Sequence, residues 1–188
     1  MLPSLYKKTG NKFINSKKAD FTPTKTIDTK LAQGDYLAKE DLKPLRDPEK
    51  EIKVIMADLK SGDWRVQFEA TNKLRRLIEF NPDIILGSTA SCIHTLVMDM
   101  VGMAENLRSS VAKNSLICIN EFVLIMGRQI DAEVDLLLER LIKRSADTNS
   151  FISQEVQKCL NILAVSASSN KVFDKLGSYR ESKSTPIK

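Results

Sequence analysis

Three short polar breaks interrupt segments that carry the apolar spacing of α-helices, and they recur at nearly equal intervals. The breaks are residues 61–63, 105–106 and 147–149. Apolar side chains at steps of three and four residues predict a helix on each side of every break, and no stretch shows the two-residue alternation of a strand. Between residues 49 and 185 the only proline is Pro82, so little interrupts these helices. We therefore expect an all-α domain.

The interval between the breaks narrows the fold further. The first residues of successive breaks are 44 and then 42 positions apart. A two-helix unit that recurs at roughly 40–47 residues is the period of HEAT and armadillo repeats. Each unit has one apolar face, so neighbouring units must stack to bury it. Residues 111–126 are apolar on most sides, which is typical of a helix enclosed by its neighbours. The sequence predicts an α-solenoid of about three HEAT-like helix pairs, with the three breaks aligned on one edge.

Composition divides the chain into three parts. Residues 1–47 show no sustained periodicity and are rich in lysine, threonine, aspartate and asparagine, so we predict an extended N-terminal arm. Residues 48–165 form the predicted repeat domain. In residues 166–188 we expect a short helix through Val172 and Leu176, followed by a mobile tail.

The net charge of +5 is concentrated in the N-terminal arm. Residues 1–30 contain seven lysines and two aspartates, whereas the rest of the chain holds 22 basic and 22 acidic residues. A basic arm on a neutral body is typical of a protein with a polyanionic partner: a nucleic acid, an anionic membrane surface or the acidic outer face of a microtubule. Nucleic acid is disfavoured, because the arm has no arginine and no RNA-binding signature. The arm lysines assigned to the contact are Lys7, Lys8, Lys12, Lys17 and Lys18.

Motifs for catalysis, metal binding and membrane insertion are missing from the sequence. It contains no GxSxG, phosphate-binding loop, HExxH or paired-carboxylate motif, so we predict no enzymatic activity and no cofactor. Cys92, Cys118 and Cys159 form no CxxC pair and His94 is the only histidine, which argues against a structural zinc. We interpret the cysteines as buried thiols in a reducing compartment. No run of about 18 apolar residues and no secretory signal occurs, so we expect a cytoplasmic protein without a membrane span.

Each break is followed by a side chain suited to binding a protein. Trp64, the only tryptophan, is either an interface anchor or a cap over the core end of its helix. Arg108 is suited to carboxylate recognition, because a guanidinium can bind both oxygens; the alternative is a solvated charge at a helix start. Phe151 either contacts a partner or packs into the core. Periodicity alone leaves these alternatives open.

The loop sequences resemble a known family, the TOG domains, and most of all their crescerin and CLASP branches. The matching segments are residues 58–70, 74–77 and 81–82 for a first HEAT repeat, 106–113 for a second and 147–152 for a third. Asp63-Trp64 in the first loop and Asn106-Leu107-Arg108 in the second are the most specific parts. The resemblance covers about residues 48–165 and includes all three loops in order.

This resemblance implies binding to tubulin or the microtubule lattice. TOG domains bind tubulin through the loops within their repeats, a role that here falls on Trp64, Arg65, Arg108, Asn149 and Phe151. Proteins of the crescerin branch work in cilia. The implied location is therefore the cytoskeleton, in a cilium or flagellar axoneme, with other axonemal proteins as further partners.

The sequence departs from the family in its number of repeats. A full TOG domain has about six HEAT repeats, whereas about three are predicted here. We therefore expect a structural component fixed to the microtubule lattice, and not a tubulin-delivery factor or polymerase. The alternative is a HEAT-type adaptor that binds another protein and not tubulin.

Overall fold

The computed structural model describes residues 37–181 of the chain. Its helices are α1 (Pro48–Asp58), α2 (Trp64–Phe80), α3 (Pro82–Leu86), α4 (Ala90–Ala104), α5 (Ser109–Met126), α6 (Val134–Ser145), α7 (Ser150–Ser166) and α8 (Ser169–Glu181), with short 3-10 helices at Lys39–Asp41 and Gly127–Glu133. No strand occurs between residues 37 and 181. The predicted all-α solenoid is confirmed. The five arm lysines and residues 182–188 of the predicted tail lie outside the described residues.

The helices stack as three pairs, α1 with α2, α4 with α5, and α6 with α7. Helix α5 lies at the centre, because it packs against α2 and α7 on either side and against its own partner α4. Its buried side chains surround the helix and include Leu116, Ile119 and Phe122. This agrees with the prediction of an enclosed helix over residues 111–126.

Side-chain hydrogen bonds shape the three loops within pairs. In each loop an acidic or amide side chain accepts a hydrogen bond from the backbone N–H two residues later. The three bonds join Asp63 Oδ1 to Arg65 N at 2.8 Å, Asn106 Oδ1 to Arg108 N at 2.8 Å and Asn149 Oδ1 to Phe151 N at 3.0 Å. In the first and third loops this bond caps the following helix, whereas in the second loop it precedes the helix. The polar breaks in the sequence therefore lie just before the second helix of each pair.

The connections between pairs contain short helical segments. The connection after Phe80 contains the five-residue helix α3, which begins with Pro82 at its first position, where proline needs no donor. The connection after α5 begins with Gly127 at a φ of 51° and continues as a 3-10 helix, so that α6 begins at Val134. Neither feature is long enough to produce a helical period of its own.

The packed part of the chain begins before the boundary predicted at residue 48. Leu37 and Leu42 are only 2% and 5% exposed, so the last part of the predicted arm belongs to the folded body. Lys39 also forms an ion pair with Glu79 at the end of α2, with 2.9 Å between Nζ and Oε2. Two isolated leucines in a segment without periodicity give no helical signal, which explains the missed contact.

Arg75 holds this N-terminal segment against the solenoid. It is 1% exposed, and its Nε and Nη2 donate to the two carboxylate oxygens of Glu121 on α5 at 2.8 and 2.9 Å. Its Nη1 donates to the Leu37 carbonyl at 2.7 Å and to Asn114 Oδ1 at 3.3 Å. Asn114 in turn donates to Asn72 Oδ1 at 2.9 Å. One buried guanidinium therefore joins α2, α5 and the entering chain.

By length and composition alone, one helical stretch among residues 37–181 could cross a membrane. It is Ser109–Ser145, which has a mean hydropathy of 1.2 in its most apolar window, and 61% of that window is buried inside the protein. The core helix of a water-soluble protein meets the same test, so this stretch is weak evidence for a membrane span. Its apolar side chains are those that α5 and α6 contribute to the core.

Asp131 connects the third pair to the C-terminal helix. Its Oδ1 accepts a hydrogen bond of 2.8 Å from the backbone N–H of Ser168, the residue before α8. Hydrogen bonding from the Ser168 side chain, and then from this backbone N–H, lowers the pKa of the carboxyl. We expect Asp131→Ala to lower the free energy of unfolding by about 1 kcal/mol at neutral pH. Because the folded-state pKa is lowered, the contribution is fully present above the ordinary aspartate pKa and is lost as the pH falls from there through the lowered folded-state pKa. Urea unfolding of both proteins at pH 7 and pH 3 measures this difference, which should be smaller at the lower pH.

Candidate functional site

The first two loops within pairs meet at Trp64. The guanidinium carbon of Arg65 lies 5.2 Å from the centre of the Trp64 ring, and that of Arg108 lies 4.7 Å from it. Both distances are within the range of cation–π contact. The Arg108 contact joins residues 44 positions apart, so it shows that the first and second loops lie side by side as their period predicts. Both arginines are exposed, and the cluster presents positive charge to solvent.

Trp64 itself lies at the rim of the core. Its ring is half-buried and packs against the buried apolar cluster, while Arg65 and Arg108 cover other parts of it. The two alternatives for Trp64, an interface anchor and a cap over the core, are thus both compatible with its position. Packing against the core holds the Trp64 ring in place, so the ring is rigid although it lies at an exposed edge.

The third loop places an aromatic side chain in solvent. Phe151 is 65% exposed, so the alternative that it packs into the core is wrong. The ammonium of Lys113 on α5 lies 5.3 Å from the centre of the Phe151 ring, which links the second pair to the third loop. Asn149 is half-buried, and its side chain caps α7 while its backbone N–H donates to Asp147 Oδ1 at 2.7 Å. Asn149 therefore shapes the loop that presents Phe151.

The sequence assigned no contact role to two residues of this edge. Leu107 is fully exposed at the tip of the second loop, and Lys113 forms the contact with Phe151. Both lie within the segment 106–113 that resembles a TOG repeat, so the segment was identified, but neither residue was assigned to the binding site. Together with Trp64, Arg65, Arg108 and Phe151 they form what we call the loop edge.

The loop edge combines exposed apolar side chains with three cations. Arg65, Arg108 and Lys113 each lie against an aromatic ring, which holds the charge in place without burying it. Guanidinium groups bind carboxylates with two parallel hydrogen bonds, and aromatic and arginine side chains carry much of the binding energy in protein interfaces. This arrangement is suited to an acidic protein surface.

Two of the three cysteines, Cys118 and Cys159, are buried as predicted, whereas Cys92 is partly exposed. Burial raises the pKa of the Cys118 and Cys159 thiols, which keeps them protonated at neutral pH. His94 Nδ1 lies 2.9 Å from Glu133 Oε2. Within residues 37–181 no three histidine, cysteine, aspartate or glutamate side chains are grouped closely enough to hold a metal ion.

Comparisons with known proteins agree with the sequence resemblance. A family model described as "CLASP N terminal" matches residues 50–188. "TOG array regulator of axonemal microtubules protein 1" from Homo sapiens is 25% identical over 123 residues, which is 65% of this chain and 7% of that protein. "Crescerin-like protein che-12" from Caenorhabditis elegans is 25% identical over 116 residues, covering 61% of this chain and 9% of that protein.

A third relative also matches part of this chain. "Protein STU1" from Phaeosphaeria nodorum is 29% identical over 94 residues, or 50% of this chain and 8% of that protein. The chain thus spans less than a tenth of the length of these relatives. No solved structure gave a significant match. The predicted resemblance to TOG domains of the crescerin and CLASP branches is confirmed.

Proposed function

The chain belongs to the CLASP N-terminal family, and from this premise we propose that it is a non-enzymatic protein that binds tubulin or the microtubule lattice through its loop edge. The observation that carries the proposal is the Trp64 ring with Arg65 and Arg108 on it, together with the exposed Phe151, whose ring Lys113 contacts. These are the residue types that dominate binding energy in protein interfaces. Their positive charge complements the acidic outer face of a microtubule.

The name of one relative supports a proposed location. This relative is named for axonemal microtubules, and it matches 65% of this chain. We therefore propose that the protein is a structural component of ciliary or axonemal microtubules, with other axonemal proteins as further neighbours. In this proposal the arm lysines Lys7, Lys8, Lys12, Lys17 and Lys18 add electrostatic attraction, whose strength falls with salt.

The direct test is co-sedimentation of the full chain with stabilised microtubules, with gel filtration against free tubulin dimers alongside. We expect the wild type to pellet with microtubules in a saturable way, or to elute as a complex with the dimer. A chain without residues 1–36 should retain the part of the affinity that comes from the loop edge. If the full chain neither pellets nor forms a complex, the alternative of a HEAT-type adaptor for another protein replaces this proposal.

Two exposed phenylalanines provide a matched test of the edge. Phe151 in the third loop is 65% exposed and Phe173 on α8 is 70% exposed, so neither contributes much to the core. We expect Phe151→Ala to weaken microtubule binding by about 1 kcal/mol, roughly fivefold, because it removes an aromatic anchor from the interface. Phe173→Ala should bind as the wild type does. Equal affinities for the two variants would place the binding surface away from the loop edge.

A further inference from the structure

The chain enters the folded body at the groove between α2 and α5, and two contacts give its direction there. Arg75 on α2 donates to the carbonyl of Leu37, and Lys39 pairs with Glu79, one helical turn after Arg75. From residue 37 to residue 39 the chain therefore runs towards the C-terminal end of α2. In the opposite direction, the chain before Leu37 heads for the N-terminal end of α2, which belongs to the loop edge.

Helix α5 runs beside α2 in the same direction. Asn72 on α2 is hydrogen-bonded to Asn114 on α5, and Arg75 is bonded to Glu121 further along both helices. Both helices therefore begin at the loop edge. The groove between them leads from Leu37 to that edge.

One apolar side chain beside this groove is not used by the core. Ile117 lies one turn before Glu121 on the same face of α5, is partly exposed and lies outside the apolar core cluster of the described residues. Lys113 lies one turn further towards the loop edge on that face. Leu37, in contrast, is only 2% exposed, so the groove already covers one apolar residue of the entering chain. A segment that continues from Leu37 to the loop edge passes an apolar side chain first and a cation second.

The residues before Leu37 match this order. Tyr36 offers an aromatic ring to Ile117, and Asp35 offers a carboxylate to Lys113. The groove and the entering segment are therefore complementary in both polarity and charge.

The length of the segment also fits the groove. From Arg75 back to Trp64 is eleven positions of α2, or about 16 Å along the helix. Six residues of extended chain span about 20 Å, so residues 31–36 are long enough to reach the loop edge.

From direction, polarity and length we propose that residues 31–36 continue along this groove, with Tyr36 on Ile117 and Asp35 beside Lys113. The occupant is the chain's own segment because it is continuous with residues already held in the groove, so it loses no translational freedom on docking. The lysine-rich remainder of the arm then leaves the solenoid at the loop edge. There it contacts the same partner surface as the loop edge, a consequence that rests on the proposed function.

Backbone order parameters of the full ¹⁵N-labelled chain test the contact without tubulin. We expect values of about 0.8 in residues 31–36 and below about 0.6 in residues 1–20. Ile117→Gln removes the apolar partner and Asp35→Lys repels Lys113, so each should lower the values in residues 31–36 below about 0.6. Because Ile117 lies outside the core cluster and Asp35 lies in the arm, both variants should keep the helical circular dichroism of the wild type.

Leu124→Gln is the matched control. Leu124 is 58% exposed and lies on the same face of α5 as Ile117, but on the other side of Glu121. The proposed path does not pass it, so this variant should keep the wild-type order parameters in residues 31–36. A loss of order in Leu124→Gln but not in Ile117→Gln would overturn the proposed direction.

A spin label locates the end of the segment. Lys30→Cys carries the nitroxide in a full chain that also has Cys92→Ser, since the other two cysteines are buried. We expect the label to broaden the amide signal of Arg108 at the loop edge and to leave that of Arg128, at the opposite edge, sharp. With Ile117→Gln added, the broadening at the loop edge should weaken.

Two results would overturn the contact whatever the chain binds. One is an order parameter below about 0.6 throughout residues 31–36 of the wild type, or equal broadening at the two edges. The other is order that appears only at high protein concentration, which would assign the segment to a neighbouring copy of the chain.

Microtubule co-sedimentation then tests the consequence for binding. We expect Ile117→Gln to bind about fivefold more weakly than the wild type, because the released arm has to be ordered when the complex forms. Unchanged affinity, with the contact seen in the wild type, would overturn the shared contact surface. A wild type that binds no tubulin would overturn the proposed function and leave the docked segment to the order parameters.

Discussion

Replacing Arg75 by alanine is expected to lower the free energy of unfolding by about 3–5 kcal/mol, the usual cost of leaving one member of a buried ion pair alone. Arg75 donates to both oxygens of Glu121 and to the carbonyl of Leu37. Without it, a carboxylate with only 15% of its side chain exposed loses its hydrogen-bonded counter-charge, and a buried carbonyl loses its donor. For a domain of this size the loss corresponds to a melting temperature lower by roughly 6–20 °C.

The chain contains a second arginine–glutamate pair that is more exposed. Arg140 Nη1 and Glu105 Oε1 lie 3.2 Å apart, with 37% and 35% of the two side chains exposed. Ion pairs that water reaches contribute only about 1 kcal/mol, so Arg140→Ala should lose much less stability than Arg75→Ala. Urea and thermal unfolding of both variants provide the comparison. Similar losses in the two variants would mean that the Arg75 pair is solvated and does not hold the fold.

The double variant Arg75→Met with Glu121→Gln measures how much of the loss comes from the unpaired charge of Glu121. Removing both members eliminates the unpaired carboxylate, so the double variant should be more stable than Arg75→Ala alone. The backbone of Leu37 still loses its donor in this variant. Hydrogen exchange of residues near Leu37 should therefore remain faster than in the wild type, even where the overall stability recovers.

The repeat architecture could be predicted from the sequence because it depends on local patterns. Apolar spacing marks each long helix, and a polar break marks each helix pair. The central position of α5 was predicted for the same reason, since a helix enclosed by α2, α4 and α7 must be apolar on most sides.

The buried Arg75 could not be predicted in this way. Arg75 and Arg76 are adjacent and chemically identical in the sequence, yet Arg75 is 1% exposed and Arg76 lies nearer the surface. What separates them is Glu121, 46 positions later on another helix. The same limit applies to Leu37, whose burial depends on Arg75. Contacts between residues that are far apart in the sequence can be identified only from the packed structure.

The loop edge was predicted in part. Because period and loop position are local features, Trp64 and Arg108 could be assigned to neighbouring loops, and the two lie together. The exposure of Phe151 and the contact of the Lys113 ammonium with its ring depend on how α5 and α7 pack. No local pattern carries that information.

Replacing Trp64 by alanine is expected to weaken microtubule binding by about 2 kcal/mol, roughly 30-fold, which is the effect of removing an interface hot spot. Trp64 supplies the largest rigid surface of the loop edge and also holds Arg65 and Arg108 in position. Its loss therefore removes both an apolar contact and the preorganisation of two cations. Co-sedimentation over a range of microtubule concentrations gives the affinities.

A double-mutant cycle separates these two effects. If Trp64 positions Arg108, then Trp64→Ala and Arg108→Ala should not be additive, and their coupling should be about 0.5–1 kcal/mol. Purely additive losses would mean that the ring and the guanidinium contact the partner independently.

Stability measurements decide between the two interpretations of Trp64. The ring is half-buried at the rim of the core, so Trp64→Ala should retain its helical circular dichroism and lose only a modest part of its stability. A large drop in affinity with nearly unchanged unfolding would identify Trp64 as an interface anchor. A large drop in melting temperature with a parallel loss of binding would identify it as a cap over the core. In that case Phe151, whose exposure makes its removal structurally neutral, becomes the residue on which the loop-edge proposal depends.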